Sequence, residues 1–230
     1  GTLKRIDIAG GGVRELVKTS SVWQHSWGAD GTVLFGGSPA EGFFKRIPAS
    51  GGETAPATEL HEKDGELRHE VSHFLPDGRQ FLIAVQHPNG STDIDLSELG
   101  TFARKTVVRD TTSGGIVARI PNSRSYLFYA RGTSLVAQPF DEHAGKTMGE
   151  PIAIVEHIGK VGGSRSRAAM SVSPNGTLAY QTSPEFGDSL VLRDRKGSEI
   201  SRVSLPPRGR EVAVSLDLQQ AVILQNGDLW

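Results

Sequence analysis

An all-β fold, a β-propeller of four-stranded blades, is what the sequence predicts, and three observations predict it. Hairpin phrases of one shape return every forty-odd residues, which suits a blade and not a helical repeat. The second half of each unit returns as well, as a strand followed by a glycine or charged turn. Glycine is over-used, 28 of 230 residues, against a usual share of about 7%, so turns are frequent.

The hairpin phrases are Ser26 to Phe35, His73 to Leu82 and Ser171 to Tyr180, each a short apolar strand, an Asp-Gly or Asn-Gly turn and a second apolar strand. Glycine in such turns supplies the positive φ that tight hairpins require. Weaker copies stand at Pro121 to Phe128 and Leu216 to Ile223. With residues 29, 76, 121, 174 and 216 as equivalents, the steps are 47, 45, 53 and 42. In the second halves, Lys4-Arg5-Ile6 is repeated as Lys45-Arg46-Ile47, with looser copies at Ile94-Asp95-Leu96, Leu135 to Asp141 and Leu190 to Gly197. A lone four-stranded sheet of this size cannot bury both faces, so neighbouring units must stack in a ring.

The whole chain, residues 1–230, is expected to be one propeller domain of about five blades. Four are complete, at residues 22–61, 68–110, 115–158 and 167–205. The fifth is a composite of residues 1–18 with residues 211–230, which hides sheet edges. An open arc from a larger ring is the competing arrangement. Both termini read as interrupted strands, so the expectation is a piece of a longer polypeptide.

Composition removes several classes of chemistry. No cysteine means no disulfide, thiolate zinc site, iron–sulfur cluster or cysteine nucleophile. A net charge of −1 argues against nucleic acid as a partner. Apolar runs such as Ala221 to Leu224 fall far short of the ~20 residues that cross a bilayer, so no membrane insertion by this segment is expected.

Short motifs narrow it further. His69-Glu70-Val71-Ser72-His73 matches the helical zinc-protease pattern, in which two histidines one turn apart converge on a metal. The repeat register instead makes it an inner strand, where the rings stand ~13 Å apart. No metal and no cofactor are therefore expected. Ala144-Gly145-Lys146-Thr147 lacks the upstream glycine of a phosphate loop, Gly10-Gly11-Gly12 is no dinucleotide fingerprint, and no Gly-x-Ser-x-Gly elbow occurs.

Several phrases resemble the WD40-like PD40 repeats of TolB-type propellers, and more closely the propeller region that follows the kinase domain of bacterial membrane-bound serine/threonine kinases. They are Leu3 to Gly11, Lys45 to Glu53, Phe74-Leu75-Pro76-Asp77-Gly78-Arg79, Leu135 to Asp141, Arg167 to Gly176 and the closing Asp228-Leu229-Trp230. The resemblance implies an appended sensing or scaffolding module on the extracytoplasmic, periplasmic side of a bacterial membrane protein. It implies no catalytic residue here.

The expected site is the channel mouth, where inner strands begin. His25, His69, Arg119, Arg167 and Arg210 are the candidate ligand-binding residues, with Trp23, Arg68 and Arg165 near them. Several guanidinium forks around one opening would attract carboxylate or phosphate. The competing reading is that these are rim residues paired with Glu66, Glu70 and Glu211. Trp27, Phe74 and Val172 share a repeat position and are expected to pack between blades. The functional expectation is a non-enzymatic interaction or sensor module that binds a protein or a small anionic ligand. The alternative is a hydrolase, either a propeller glycosidase or the propeller cap of a serine peptidase.

Overall fold

The computed structural model describes residues 1–19, 24–36, 41–120, 124–161, 166–173, 177–182, 189–193, 199–204, 209–214, 221–225 and 228–229; at 71 and 72 and from 189 onward the description is of backbone. The chain forms two compact units, Gly1–Ser183 and Pro184–Trp230. Among the described residues every regular element is a strand apart from a single 3-10 turn at Glu62–Asp64, and the strands form antiparallel sheets. The all-β propeller class is what the chain adopts.

In the first unit β1 (Thr2–Arg5) pairs with β2 (Arg14–Lys18). A four-stranded sheet follows, made of β3 (Gln24–Trp27), β4 (Thr32–Gly36), β5 (Phe44–Pro48) and β6 (Ala55–Pro56). The next holds β7 (Arg68–Phe74), β8 (Gln80–Gln86), β9 (Thr92–Glu98) and β10 (Arg104–Thr111). In the third, β11 (Ile116–Arg119), β12 (Ser125–Arg131) and β13 (Ser134–Asp141) are joined by β14 (Lys146–Thr147) and β15 (Ile152–Val155), both on β13. Finally β16 (Met170–Val172) pairs with β17 (Leu178–Tyr180). The second unit holds the pair β18 (Ser189–Arg193) and β19 (Glu199–Ser204), and the sheet β20 (Gly209–Val214), β21 (Ala221–Gln225) and β22 (Asp228–Leu229).

Consecutive strands pair because their turns are built for it. Asp77 Oδ1 accepts the N–H groups of Arg79 and Gln80 at 2.9 and 3.0 Å, and Gly78 turns the chain at φ +70°. Asp30 and Gly31 do the same ahead of β4, with Asp30 Oδ1 accepting the N–H of Thr32 at 2.8 Å. The third such turn, Asn175-Gly176, lies outside the described residues.

Side chains alternate across a strand, so each central strand serves two cores. Phe81, Ile83 and Val85 of β8 pack with Phe74 against Leu34 and Phe44 of the preceding sheet. Leu82 of β8 joins Ile94 and Leu96 of β9 and packs against Val117, Leu127, Tyr129 and Val136 of the following one. Further cores join the first pair to the first sheet through Leu16, Val33 and Ile47, and the third sheet to the last pair through Phe128, Leu135 and Ile158. Phe74 is buried as expected. Trp27 corrects the packing expectation, since it stands 55% exposed at the end of β3.

Gly115, just before β11, marks how closely two sheets meet. A Cβ there would lie 2.6 Å from Leu127 Cδ1, 3.2 Å from Ile94 Cδ1 and 3.4 Å from Leu82 Cδ1. Gly115→Ala is expected to destabilise the protein by about 1–3 kcal/mol through overpacking. The measurement is urea denaturation, with the midpoint falling at unchanged m.

Candidate functional site

The richest polar cluster in the first unit grows from the register of the second sheet. In β9, Asp93, Asp95 and Ser97 stand opposite Val85, Ile83 and Phe81 of β8, and so share a face with that apolar row. Thr106 and Arg104 of β10 stand opposite Asp95 and Ser97 and continue the row outward. The inner half of this face is covered by the first sheet. Its outer half is polar and is covered by the connection between β6 and β7.

That connection brings His61, Glu66 and Thr58 onto the sheet. Arg104 donates from Nη2 to Glu66 Oε1 at 2.7 Å, and its Nη1 lies 3.1 Å from His69 Nε2 and 3.5 Å from Asp95 Oδ2. His69 is fully buried, with Nδ1 2.9 Å from Thr58 Oγ1 and Nε2 3.2 Å from Glu66 Oε2. A neutral ring that accepts the Thr58 hydroxyl and donates to Glu66 satisfies both partners. Above the cluster a cleft of about 280 Å³ opens, walled by His61, Glu66, Asp93, Asp95, Arg104 and Arg109. Arg109 reaches Asp93 Oδ2 at 3.1 Å from the exposed side, and His87 Nε2 lies 3.4 Å from the same oxygen.

The carboxyls of this cleft are pushed apart in acidity. Burial alone would raise Glu66, but hydrogen bonds from His69, the His61 N–H and Arg104 outweigh it and hold Glu66 down at about 2. At Asp95 burial prevails over the Thr106 hydrogen bond and the Arg104 charge, and its carboxyl is raised, with Glu66 and Asp93 adding to the rise. Burial lowers His69 against the opposing pull of Glu66, and lowers His73 against its bond to the Val117 carbonyl.

The residues expected at the channel mouth are distributed differently. His25 is exposed on β3, and Arg167 is exposed just before β16. His69 is the buried centre of the cluster above. Arg119 corrects its placement at an inner-strand start. It is the last residue of β11, pairs in register with Ser125, and reaches Glu142 at 3.3 Å at the opposite end of its sheet. Arg68 Nε donates to Gln86 Oε1 at 2.8 Å and lies 2.9 Å from Glu70 Oε1 as an ion pair. Near those starts, Ser166 Oγ donates to Glu70 Oε2 at 2.5 Å, both groups buried. The side chain of Arg210, and Trp23 and Arg165 entirely, lie outside the described residues.

His69 to His73 is strand, with a bulge between Glu70 and Ser72. The two rings serve different neighbours: His69 turns to Thr58, whereas His73 donates from Nε2 to the Val117 carbonyl at 3.2 Å. The helical geometry that the metal pattern needs is therefore absent from this segment. Among the described residues no three metal-binding side chains converge, and no helix is long and apolar enough to cross a membrane. Asp93, Asp95, Arg104 and Arg109 were not singled out from sequence. The available signal was Asp93-Ile94-Asp95-Leu96, which places two carboxylates on one face of a strand whose neighbours bury both faces.

No family model matches the chain, and no curated protein matches it. Solved structures do. TolB from Acinetobacter baumannii is similar at TM-score 0.55 and 17% identity, over 96% of this chain and 53% of TolB. A calcium-binding protein, regucalcin, from Agrobacterium tumefaciens matches at 0.54 and 14%, over 96% of this chain and 74% of that one. A gluconolactonase from Xanthomonas campestris matches at 0.50 and 12%, over 95% and 74%. These likenesses establish the propeller fold, and this chain spans about half the length of TolB. They also correct the expectation of a non-enzyme, because a named enzyme, the gluconolactonase, is among the proteins that share the fold.

The acidity shifts set a pH window for stability. His69 and His73 have folded values below their ordinary 6.5, so the stability of burying them neutral is present above 6.5 and lost as pH falls through it. Glu66 adds stability above 4.5 that is lost toward 2, while Asp95, whose carboxyl is raised, gives a gain as pH falls toward 3.8. Stability is expected to fall between about pH 7 and pH 5, by up to ~1.4 kcal/mol per pH unit for each histidine. Denaturation of the wild type and of His73→Leu checks this: the variant has the shallower slope, and a flat wild-type profile contradicts it.

Proposed function

We propose that this propeller binds a small polar ligand in the cleft between the β6–β7 connection and the outer strands of the second sheet. The observation that carries the reading is the concentration there of two arginines, two histidines and four carboxylates, His61, Asp64, Glu66, His87, Asp93, Asp95, Arg104 and Arg109, around one opening. Convergent polar groups around a concave opening are what orient a ligand, and perturbed acidities mark working sites. An anion at the channel mouth has less support, since Arg68 is committed to Glu70 and Arg119 to Glu142. The TolB-type phrases further lead us to read the chain as an appended PD40-like module on the extracytoplasmic side of a longer membrane protein.

One observation favours a second reading, hydrolysis. Glu66 and Asp95, two carboxyls that line the one cleft, both contact Arg104, and neighbouring carboxyls in one opening are what a glycosidase-type hydrolase requires.

A broad small-molecule screen by thermal shift tests the proposal. A ligand at a hundred times its Kd adds about 2.7 kcal/mol, roughly 5–10 °C in a domain of this size. Hits are expected to lose most of that shift in Asp93→Asn. Hits that shift the variant equally, or no hits at all, would contradict the proposal, and hits consumed on incubation would favour hydrolysis.

A further inference from the structure

Two clefts meet at one wall of the second sheet. The cleft described above shares His87, Asp93 and Arg109 with a neighbour of about 500 Å³, which is lined further by Gly65, Asn89 and Asp110. A bulge of β10 between Val108 and Thr111 brings Arg109 and Asp110 to this wall, where the N–H of Asp110 donates to Asp93 Oδ1 at 3.1 Å.

The shared wall is rich in acceptors and short of donors. His87 Nδ1 lies 3.1 Å from the Gly65 carbonyl oxygen. A carbonyl only accepts, so Nδ1 carries the proton and the neutral ring presents Nε2 as an acceptor. That nitrogen stands 3.4 Å from Asp93 Oδ2, an acceptor too, and two lone-pair atoms so close repel unless a donor serves both. The protein offers one donor of its own, since Arg109 Nη1 donates to Asp93 Oδ2 at 3.1 Å. The Arg109 side chain is 71% exposed and that of Asp93 10%, so a loosely held surface cation caps a carboxylate set into the wall. An ion pair with so exposed a partner is weak, and a cation that also reaches His87 can replace it.

Charge selects the same class of ligand. Asp64, Glu66, Asp93, Asp95 and Asp110 line the two clefts, against Arg104 and Arg109. Arg104 is taken up by Glu66 and Asp95, which leaves Arg109 alone to balance Asp64, Asp93 and the exposed Asp110. An anion is repelled there. A neutral hydroxyl brings one proton to these acceptors, where an ammonium brings three.

We infer that the joined clefts take a small organic cation, whose ammonium or guanidinium group is received by Asp93 and His87 in place of Arg109. This rests on the reading of the cleft as the ligand site. Arg109 then acts as a competitor built into the wall, and removing it strengthens binding.

The test is amide-resolved NMR titration at constant ionic strength with agmatine, spermidine and a capped dilysine peptide, beside citrate, glucose and calcium chloride. The organic cations are expected to shift the amides of His87, Asp93, Arg109 and Asp110, and the other probes are not. Binding by the free amines or by the peptide supports the same contacts and separates a free ligand from a side chain. Arg109→Gln is expected to raise affinity about two- to fivefold, while Arg79→Gln, which removes an equally exposed arginine paired with Glu98, leaves it unchanged. Asp93→Asn is expected to lose at least ~tenfold, and Asp110→Asn, an exposed change that spares the fold, about threefold. Unchanged or weaker binding in Arg109→Gln, or an equal gain in Arg79→Gln, would overturn the displacement of Arg109. Citrate, glucose or calcium shifting these amides without the organic cations would overturn the ligand class and leave the cleft standing. Silence from every probe would overturn both.

Discussion

A four-stranded sheet with apolar residues on both faces cannot stand alone in water, and the first unit is organised by that constraint. Phe81, Ile83 and Val85 need one neighbour and Leu82 and Ile94 need another, so no sheet is complete without the sheets on either side. Burial of this kind is the dominant favourable term, at about 25 cal/mol per Å² of apolar surface. Close approach at Gly115, where side chains from two sheets converge on one backbone position, is its local signature.

The polar cleft follows from where that cover runs out. The fourth strand of the first sheet is two residues long, and beyond it the facing surface of β9 and β10 meets the connection instead of a strand. Charges placed there must be paired, because an uncompensated buried charge costs several kcal/mol. Arg104 does the pairing, reaching Glu66 and Asp95 at once. The same knot that makes the cover tolerable gathers ionisable side chains around one opening, and that convergence is what turns a structural patch into a binding hypothesis.

Much of the architecture was legible in the sequence because turns and alternation are local. Asp77-Gly78 announces a turn wherever it stands, and Phe81 to Val85 can be buried on both faces in a strand. The strand reading of His69 to His73 was legible for the same reason, through the register of Phe74 to Gly78. The site was less legible because it depends on the third dimension. Arg119 looks like a mouth residue from its neighbours, yet it ends β11 rather than beginning it, since the strand is short. Arg104 meets His69 from 35 positions away and Glu66 from 38, pairings that no periodicity encodes. Trp27 fell to the same difficulty, as its repeat position says nothing about what covers the strand end. The non-enzyme expectation rested on the resemblance and on missing motifs, and a shared fold does not carry such an exclusion.

The dependence of one sheet on the next is measured most directly by a double-mutant cycle between Ile94 of β9 and Leu127 of β12, whose methyl groups both bear on Gly115. Ile94→Val and Leu127→Ala, alone and together, are followed by equilibrium denaturation. The account predicts a coupling on the order of 1 kcal/mol across the two sheets. Strict additivity, within about 0.3 kcal/mol, would contradict it, because the sheets would then be stable independently of each other.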